Sequence, residues 1–358
     1  MDGTDQKMSA SQILLTFASF VIVVAGMRAS VEILVPFLLA IFIAIIGAAP
    51  LTWLKSKQVP GWLALIIIIA GIFLIGFLLA WLVGASIRDF SGNLPIYEKQ
   101  LTQQMATVMN WLNEQGIDTS TVNLTEIFDP GSAMALVASG LNSLGSVLTN
   151  VLLIALTVIF ILLEASSIPA KLRLIIGQKD SSMEPFEEFI ETVKNYMAIK
   201  SLVSLITGVL VAVWVYIMGV DYPLLWGLLA FALNFVPNIG SIIAAIPVVL
   251  LSLIQIGPIN SLIVAIGFIV INLVIGNAVE PRFMGRGLGL STLVVFLSLI
   301  FWGWVLGPIG MLLSVPLTIT AKIAFDVREE TRWLAVLLGP NKSKEAAIRS
   351  EMKSKIWL

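Results

Sequence analysis

The sequence predicts an all-α fold: a multispan integral membrane protein with about eight membrane-associated helical elements, two of them re-entrant-like hairpins broken by proline and glycine. Of 358 residues, 58% are hydrophobic and 12% charged, where a soluble domain averages about 25% charged residues. The mean hydropathy is +0.99. Uncharged apolar runs of roughly 20 residues recur, the length that crosses a hydrocarbon core about 30 Å thick. The alternating ten-residue pattern of a transmembrane barrel is absent.

Residues 1–87 read as three scaffold spans. Met1–Ala10 is a short polar tail without a basic n-region and cleavage site, so the first apolar run is expected to be a retained span. Ser11–Met27 forms span 1, closed by Arg28. Glu32 opens span 2, which runs to Pro50 with a bend expected at Pro36. Arg28 and Glu32, four residues apart, read as an interfacial ion pair, with ion ligation as the alternative. Lys55 and Lys57 mark a short loop, and Val59–Ile87 is an uncharged span 3, long enough to tilt. Trp53, Trp62 and Trp81 fall near expected interfaces.

Residues 88–133 change character. Asp89, Glu98, Glu114, Asp118, Glu126 and Asp129 outweigh Arg88 and Lys99, while Leu94, Tyr97, Leu101, Met105 and Val108 recur at helical spacing. An extracytoplasmic amphipathic helical insert is expected, its apolar stripe serving packing or oligomer contact. Residues 134–167 hold span 4, and residues 168–200 a solvated cytoplasmic connecting helix in which Glu191 and Lys194 lie at helix-neighbour spacing.

Residues 201–325 form the expected transport region. Span 5 is Ser201–Val220, followed by a turn at Asp221 and Tyr222. Pro223–Val236 is apolar but only 14 residues long, about 21 Å as a helix and too short to span comfortably. Pro237, Asn238 and Gly240 break it, because proline lacks an N–H and glycine accepts turn dihedrals. A returning helix carries Pro247. Ile259–Ile275 spans again, with Asn272 inside and Asn277 at its end, before a cluster of charge and glycine around Glu280, Arg282 and Arg286. Thr292–Leu306 is short in its turn; Gly307, Pro308 and Gly310 break it, and Met311–Phe325 comes next with Pro316 inside. Two such interrupted segments at matching places point to an inverted repeat and to a binding site at the breaks. Broken backbone at membrane depth survives only where protein or a watery cavity satisfies it.

Residues 326–358 are a basic tail. The basic segments and the acidic insert fall on opposite sides when both termini are cytoplasmic, which is the orientation the positive-inside rule selects. The first hairpin then dips from outside and the second from inside.

The chain has no cysteine and no histidine, which excludes disulfides, thiolate chemistry, Ser–His proteolysis and His-ligated metal sites. It carries no P-loop, and Gly285, Gly287 and Gly289 lack the strand-to-helix context of a dinucleotide motif and read as a hinge. No cofactor, no metal, no nucleic-acid partner and no enzymatic activity are expected.

Residues 231–247 (FALNFVPNIGSIIAAIP), 277–290 (NAVEPRFMGRGLGL) and 293–318 (LVVFLSLIFWGWVLGPIGMLLSVPLT) resemble the autoinducer-2 exporter family of bacterial inner-membrane proteins. The resemblance covers nearly the whole chain. It implies a multispan transporter that exports a small quorum-sensing signal and forms a homo-oligomer, a pentamer being the implied number. Other members of that family resemble sodium/proton antiporters.

Autoinducer-2 is small, hydroxyl-rich and uncharged, so a site for it needs hydrogen-bond donors and acceptors rather than fixed charge. Asn234, Asn238, Ser241, Asn272 and Asn277 meet that need; the alternative is that they cap and glue the half-helices. Pro237, Gly240, Pro247, Gly307, Pro308, Gly310 and Pro316 shape the backbone. Glu280 and Arg282 read as an ion pair that locks a loop, or with Arg286 as a gate or coupling group. Against export of the neutral signal stand a sodium/proton antiporter, which needs titratable groups at depth, and a non-transporting oligomeric scaffold acting through residues 88–133.

Overall fold

The computed structural model describes residues 10–115, 139, 151–164, 171, 184–237, 239–284, 289–326 and 329–340. Among the described residues all regular structure is helical, as expected. The helices are α1 (Ala10–Ala29), α2 (Val31–Ser56), α3 (Gly61–Glu114), α4 (Val151–Glu164), α5 (Glu184–Ile217), α6 (Pro223–Leu233), α7 (Gly240–Ile256), α8 (Pro258–Val274), α9 (Glu280–Met284), α10 (Thr292–Leu312), α11 (Ser314–Asp326) and α12 (Arg332–Leu338), with a π-helical turn at Ile275–Val279 between α8 and α9. Segments within α2, α3, α5 and α10, and one from Pro258 to Phe283, are long and apolar enough to cross a membrane. The chain is a multi-pass membrane protein.

Two expected boundaries dissolve into longer helices. Span 3 and the first part of the insert form one helix of 54 residues, through Pro95 to Glu114, roughly 80 Å long at 1.5 Å per residue. The connecting helix and span 5 are likewise one helix, α5, of 34 residues. Its lower part is not the solvated element expected, because Val193, Tyr196 and Met197 sit on one face and are buried. They pack with Phe42 of α2 and with Ile309, Leu313, Val315 and Ile319 of the second hairpin. The later insert, the first half of span 4 and the end of the tail lie outside the described residues.

The packing separates into a scaffold and a hairpin region. Ala40 and Ala44 of α2, Ala64 of α3, and Ile154, Val158 and Leu162 of α4 form one cluster. Small residues let these helices approach closely, which is how helices associate where lipid offers no hydrophobic drive. A larger cluster joins Val83, Phe90 and Tyr97 of α3 to Val211 and Val215 of α5, Trp226 of α6, Leu251 of α7 and Phe268 of α8. It encloses the first hairpin. The second hairpin meets α1, where Val24 packs on Val305 and Leu306. There Arg28 lies over the ring of Trp304, 4.6 Å from its centroid, rather than in the ion pair expected with Glu32. The tryptophan face supplies its negative quadrupole to the guanidinium.

Both hairpins break where proline and glycine predict. In the first, α6 ends at Leu233 and α7 starts at Gly240, with Pro247 inside α7. In the second, Gly307 leaves helical geometry at φ 71°, ψ −156°, a region open to glycine and strained for other residues. Pro316 falls in the first turn of α11 rather than in a helix interior, a place where its missing N–H costs no hydrogen bond. Each tip closes on a glycine. A Cβ at Gly240 would lie 1.8 Å from the Leu233 carbonyl oxygen, and one at Gly310 would lie 2.0 Å from that of Trp302.

Gly240→Ala and Gly310→Ala should each lower thermal stability in detergent, by about 1–3 kcal/mol as for other overpacked sites, monitored by size-exclusion after heating. Gly26→Ala, whose Cβ meets nothing within 4 Å, should melt like the wild type. Unchanged melting of both tip variants would mean that the turns are looser than described.

Candidate functional site

The first hairpin tip is built against α5. Asn234 succeeds the last turn of α6, where its backbone N–H donates to Ala230 O at 2.9 Å. Its side chain is buried, and Nδ2 donates to Ser204 Oγ of α5 at 2.9 Å. The turn satisfies its own backbone: Val236 N donates to Leu233 O at 2.8 Å, and Ile239 N to Pro237 O at 2.7 Å. Pro237 is half-buried, and Ser241 is half-buried in the first turn of α7.

Ser204 belongs to a polar seam along α5. Tyr196, Lys200, Ser204 and Thr207 succeed one another at three- or four-residue steps, so they share a helix face, and all are buried. Thr207 Oγ1 turns back to Val203 O at 2.9 Å. Ser201 Oγ, beside the seam, is buried with no hydrogen-bond partner. Lys200 Nζ meets Glu280 Oε1 at 2.6 Å, with side-chain exposures of 5% and 22%. Both residues lie within segments of membrane-spanning length. A charge that such a segment carries into lipid is costly unless paired, and a buried pair is weak evidence for stability and a reason to look for function.

The π turn places Glu280. Such a turn holds one more residue than an α turn and so rotates the next stretch of helix about its axis. Glu280, the first residue after Ile275–Val279, faces α5. The ion pair expected between Glu280 and Arg282 is therefore one between Glu280 and Lys200, and Arg282 is exposed. Asn277, inside the π turn, is exposed, and Asn272, one turn earlier, is half-buried.

At the second hairpin Trp302 Nε1 donates to Thr318 Oγ1 at 3.0 Å, tying α10 to α11. Pro308 lies just past the Gly307 break and is exposed, while Gly310 and Pro316 are buried. Below the hairpin Lys322 Nζ donates to Gly289 O at 2.5 Å. Phe235 of the first tip packs into the cluster that holds Ile309 and Leu313 of the second, so the two breaks share one core. Asn234 and the two breaks come together around α5; Asn277 and Arg282 point elsewhere. Asn238 and Arg286 lie outside the described residues.

Sequence reading passes over Lys200, Ser204 and Tyr196. Their four-residue spacing at the edge of an apolar run is the available signal. Lys200 sits where the sequence turns from polar to apolar, so it reads as the last residue of a solvated segment.

A family model described as AI-2E family transporter matches residues 17–329. The chain is 40% identical over 331 residues to the AI-2 transport protein TqsA of Escherichia coli K12, an alignment covering 92% of this chain and 96% of that protein. It is 41% identical over 339 residues to a protein of Haemophilus influenzae named for transport without a cargo, covering 93% and 97% of the two chains. It is 36% identical over 344 residues to YhhT of Escherichia coli K12, also named for transport alone, covering 96% and 99%. The matched residues include both hairpins, the α5 seam and the buried ion pair, and on that ground the chain belongs to the AI-2E family of membrane transporters.

Proposed function

We propose that this protein exports autoinducer-2 across the bacterial inner membrane, with both termini in the cytoplasm and the chain working as a homo-oligomer. The observation that carries the reading is full-length similarity to a protein named for AI-2 transport, joined to a hairpin region without fixed charge. Residues 222–279 hold no acidic or basic side chain. A neutral, hydroxyl-rich cargo fits a passage of amides, hydroxyls and turn backbone, where an ion would need carboxylates at depth. The cargo contacts proposed are Asn234, Asn238, Ser241, Asn272 and Asn277, with Ser204 added. Asn234 and Ser204 exchange their mutual hydrogen bond for bonds to cargo hydroxyls, which keeps both side chains satisfied throughout.

The Lys200–Glu280 pair serves as the latch between α5 and the π turn. While closed it neutralises the two charges and fixes the start of α9 against α5. Opening it requires each charge to find water or another partner, so the two states are discrete rather than graded.

Expressed in Escherichia coli cells lacking their own AI-2 exporter, the protein should lower intracellular and raise extracellular AI-2, read with a bioluminescent reporter strain. Equal distribution with and without the protein would sink the reading. Asn238→Ala should lower that efflux while leaving the amount of folded protein unchanged; unaltered efflux removes Asn238 from the passage.

Glu280→Gln strands the buried Lys200 charge and should destabilise the protein by about 3–5 kcal/mol, whereas the paired change Lys200→Met with Glu280→Leu should recover most of it. The recovered double variant should transport poorly. Wild-type transport by a stable double variant would show that the pair is structural only.

A further inference from the structure

A second polar assembly lies just past the C-terminal end of α5, whereas the ion pair sits at its middle, and α3 meets the root of the first hairpin there. Tyr222 stands at φ 60°, ψ 45°, a left-handed conformation that is strained for a non-glycine residue and collects at ligand clamps. Side chains hold it there. Asn93 Nδ2 donates to the Tyr222 hydroxyl at 2.9 Å, and the Tyr97 hydroxyl lies 3.4 Å from it. The neighbouring Asp221 is fixed as firmly. Its Oδ2 accepts from the Tyr97 hydroxyl at 3.0 Å and from Gln255 Nε2, its N–H donates to Gln255 Oε1 at 3.0 Å, and its carbonyl accepts from Trp226 Nε1 at 2.7 Å. Both side-chain bonds fall on Oδ2, so Oδ1 is taken by neither.

These residues border an open cleft of about 490 Å³ lined by Arg88, Asp89, Gly92, Asn93, Asp221 and Tyr222. Its size lies within the range of roughly 300–1,000 Å³ common to small-ligand sites. The lining selects by charge. Two carboxylates oppose an anion. One guanidinium opposes a cation, and among the described residues no group of three acidic side chains is placed to hold a metal ion. A neutral molecule that both donates and accepts fits best: a carboxylate takes hydroxyl protons, while guanidinium and amide groups donate to hydroxyl or carbonyl oxygens. The space beside Gly92 is open, and a Cβ there would meet nothing within 4 Å.

We propose that this cleft is a second binding site, for a neutral polyhydroxylated small molecule of the vicinal-diol class, at the mouth of the transport passage. The inference rests on the reading of the protein as an exporter of such a cargo and adds where the cargo docks outside the hairpin tips. Asp221 and Tyr222 join α5 to α6, so a ligand in the cleft touches the root from which the first hairpin hangs.

The absence of cysteine from the chain gives a local readout. Gly92→Cys places a single thiol in the cleft of the full-length purified protein, and its alkylation by a maleimide is timed with 4,5-dihydroxy-2,3-pentanedione, inorganic phosphate or calcium chloride present. The diol should slow alkylation about tenfold at a concentration near ten times its dissociation constant. Phosphate and calcium should leave the rate unchanged. Lys57→Cys, in an exposed loop, reports direct reaction of the dione with thiols and should show no slowing. Adding Tyr222→Phe to Gly92→Cys should weaken protection several-fold. An unchanged rate with the diol, equal slowing at Lys57→Cys, or protection by phosphate instead, overturns the proposal. Export by the wild type with an unprotected Gly92→Cys removes the cleft and leaves the export reading standing; protection without export does the reverse.

Discussion

Within a bilayer, an interrupted helix survives only where protein or a watery cavity covers the break, and α5 is the element against which the broken helices pack here. It receives the first hairpin tip through Ser204 and Asn234, the start of α9 through Lys200 and Glu280, and the second hairpin through the cluster around Tyr196. One continuous helix thus carries the attachments of three discontinuous ones. Its buried face is polar at Lys200, Ser204 and Thr207 and apolar at Val193, Met197 and Val203, so it serves both kinds of contact.

The hairpins solve the turn problem in the same manner. Each seats a glycine on a carbonyl from before the break, Gly240 on Leu233 and Gly310 on Trp302. Each is then fixed by one side-chain hydrogen bond near the break, Asn234 to Ser204 and Trp302 to Thr318. The bonds differ in reach. The first joins the hairpin to α5, whereas the second stays within its own hairpin. By these hydrogen bonds the second hairpin is tied to itself and the first to α5, while apolar packing joins the second to α1 and α5.

The breaks are legible in the sequence because their causes are local. Proline without an N–H and glycine without a Cβ act on their own few residues, wherever the chain goes next. Two of the stretches that carry the resemblance, residues 231–247 and 293–318, contain these breaks. Partners are not legible. Proximity along the chain matches Glu280 with Arg282, while its partner in space is 80 positions away. The same reasoning matches Arg28 with Glu32, and its neighbour is Trp304. Helix continuity is misjudged at Arg88 and at Lys200, because a change in charge marks a change of solvent and not an end of backbone hydrogen bonding. The cluster around Asp221 is hidden for a further reason: Asn93, Tyr97 and Gln255 are ordinary residues until α3 and α7 are side by side.

The length of α3 bears on how force travels through the molecule. Its N-terminal part packs in the scaffold through Ala64, its middle reaches the first hairpin through Val83 and Phe90, and Gln104 Nε2 bonds to Ile254 O of α7 at 2.8 Å. A rod held at three places resists bending between them. Movement of the hairpin root must therefore either carry the rod along or slide past it, and Pro95, which removes one rung of its backbone ladder, is the natural place for the rod to flex.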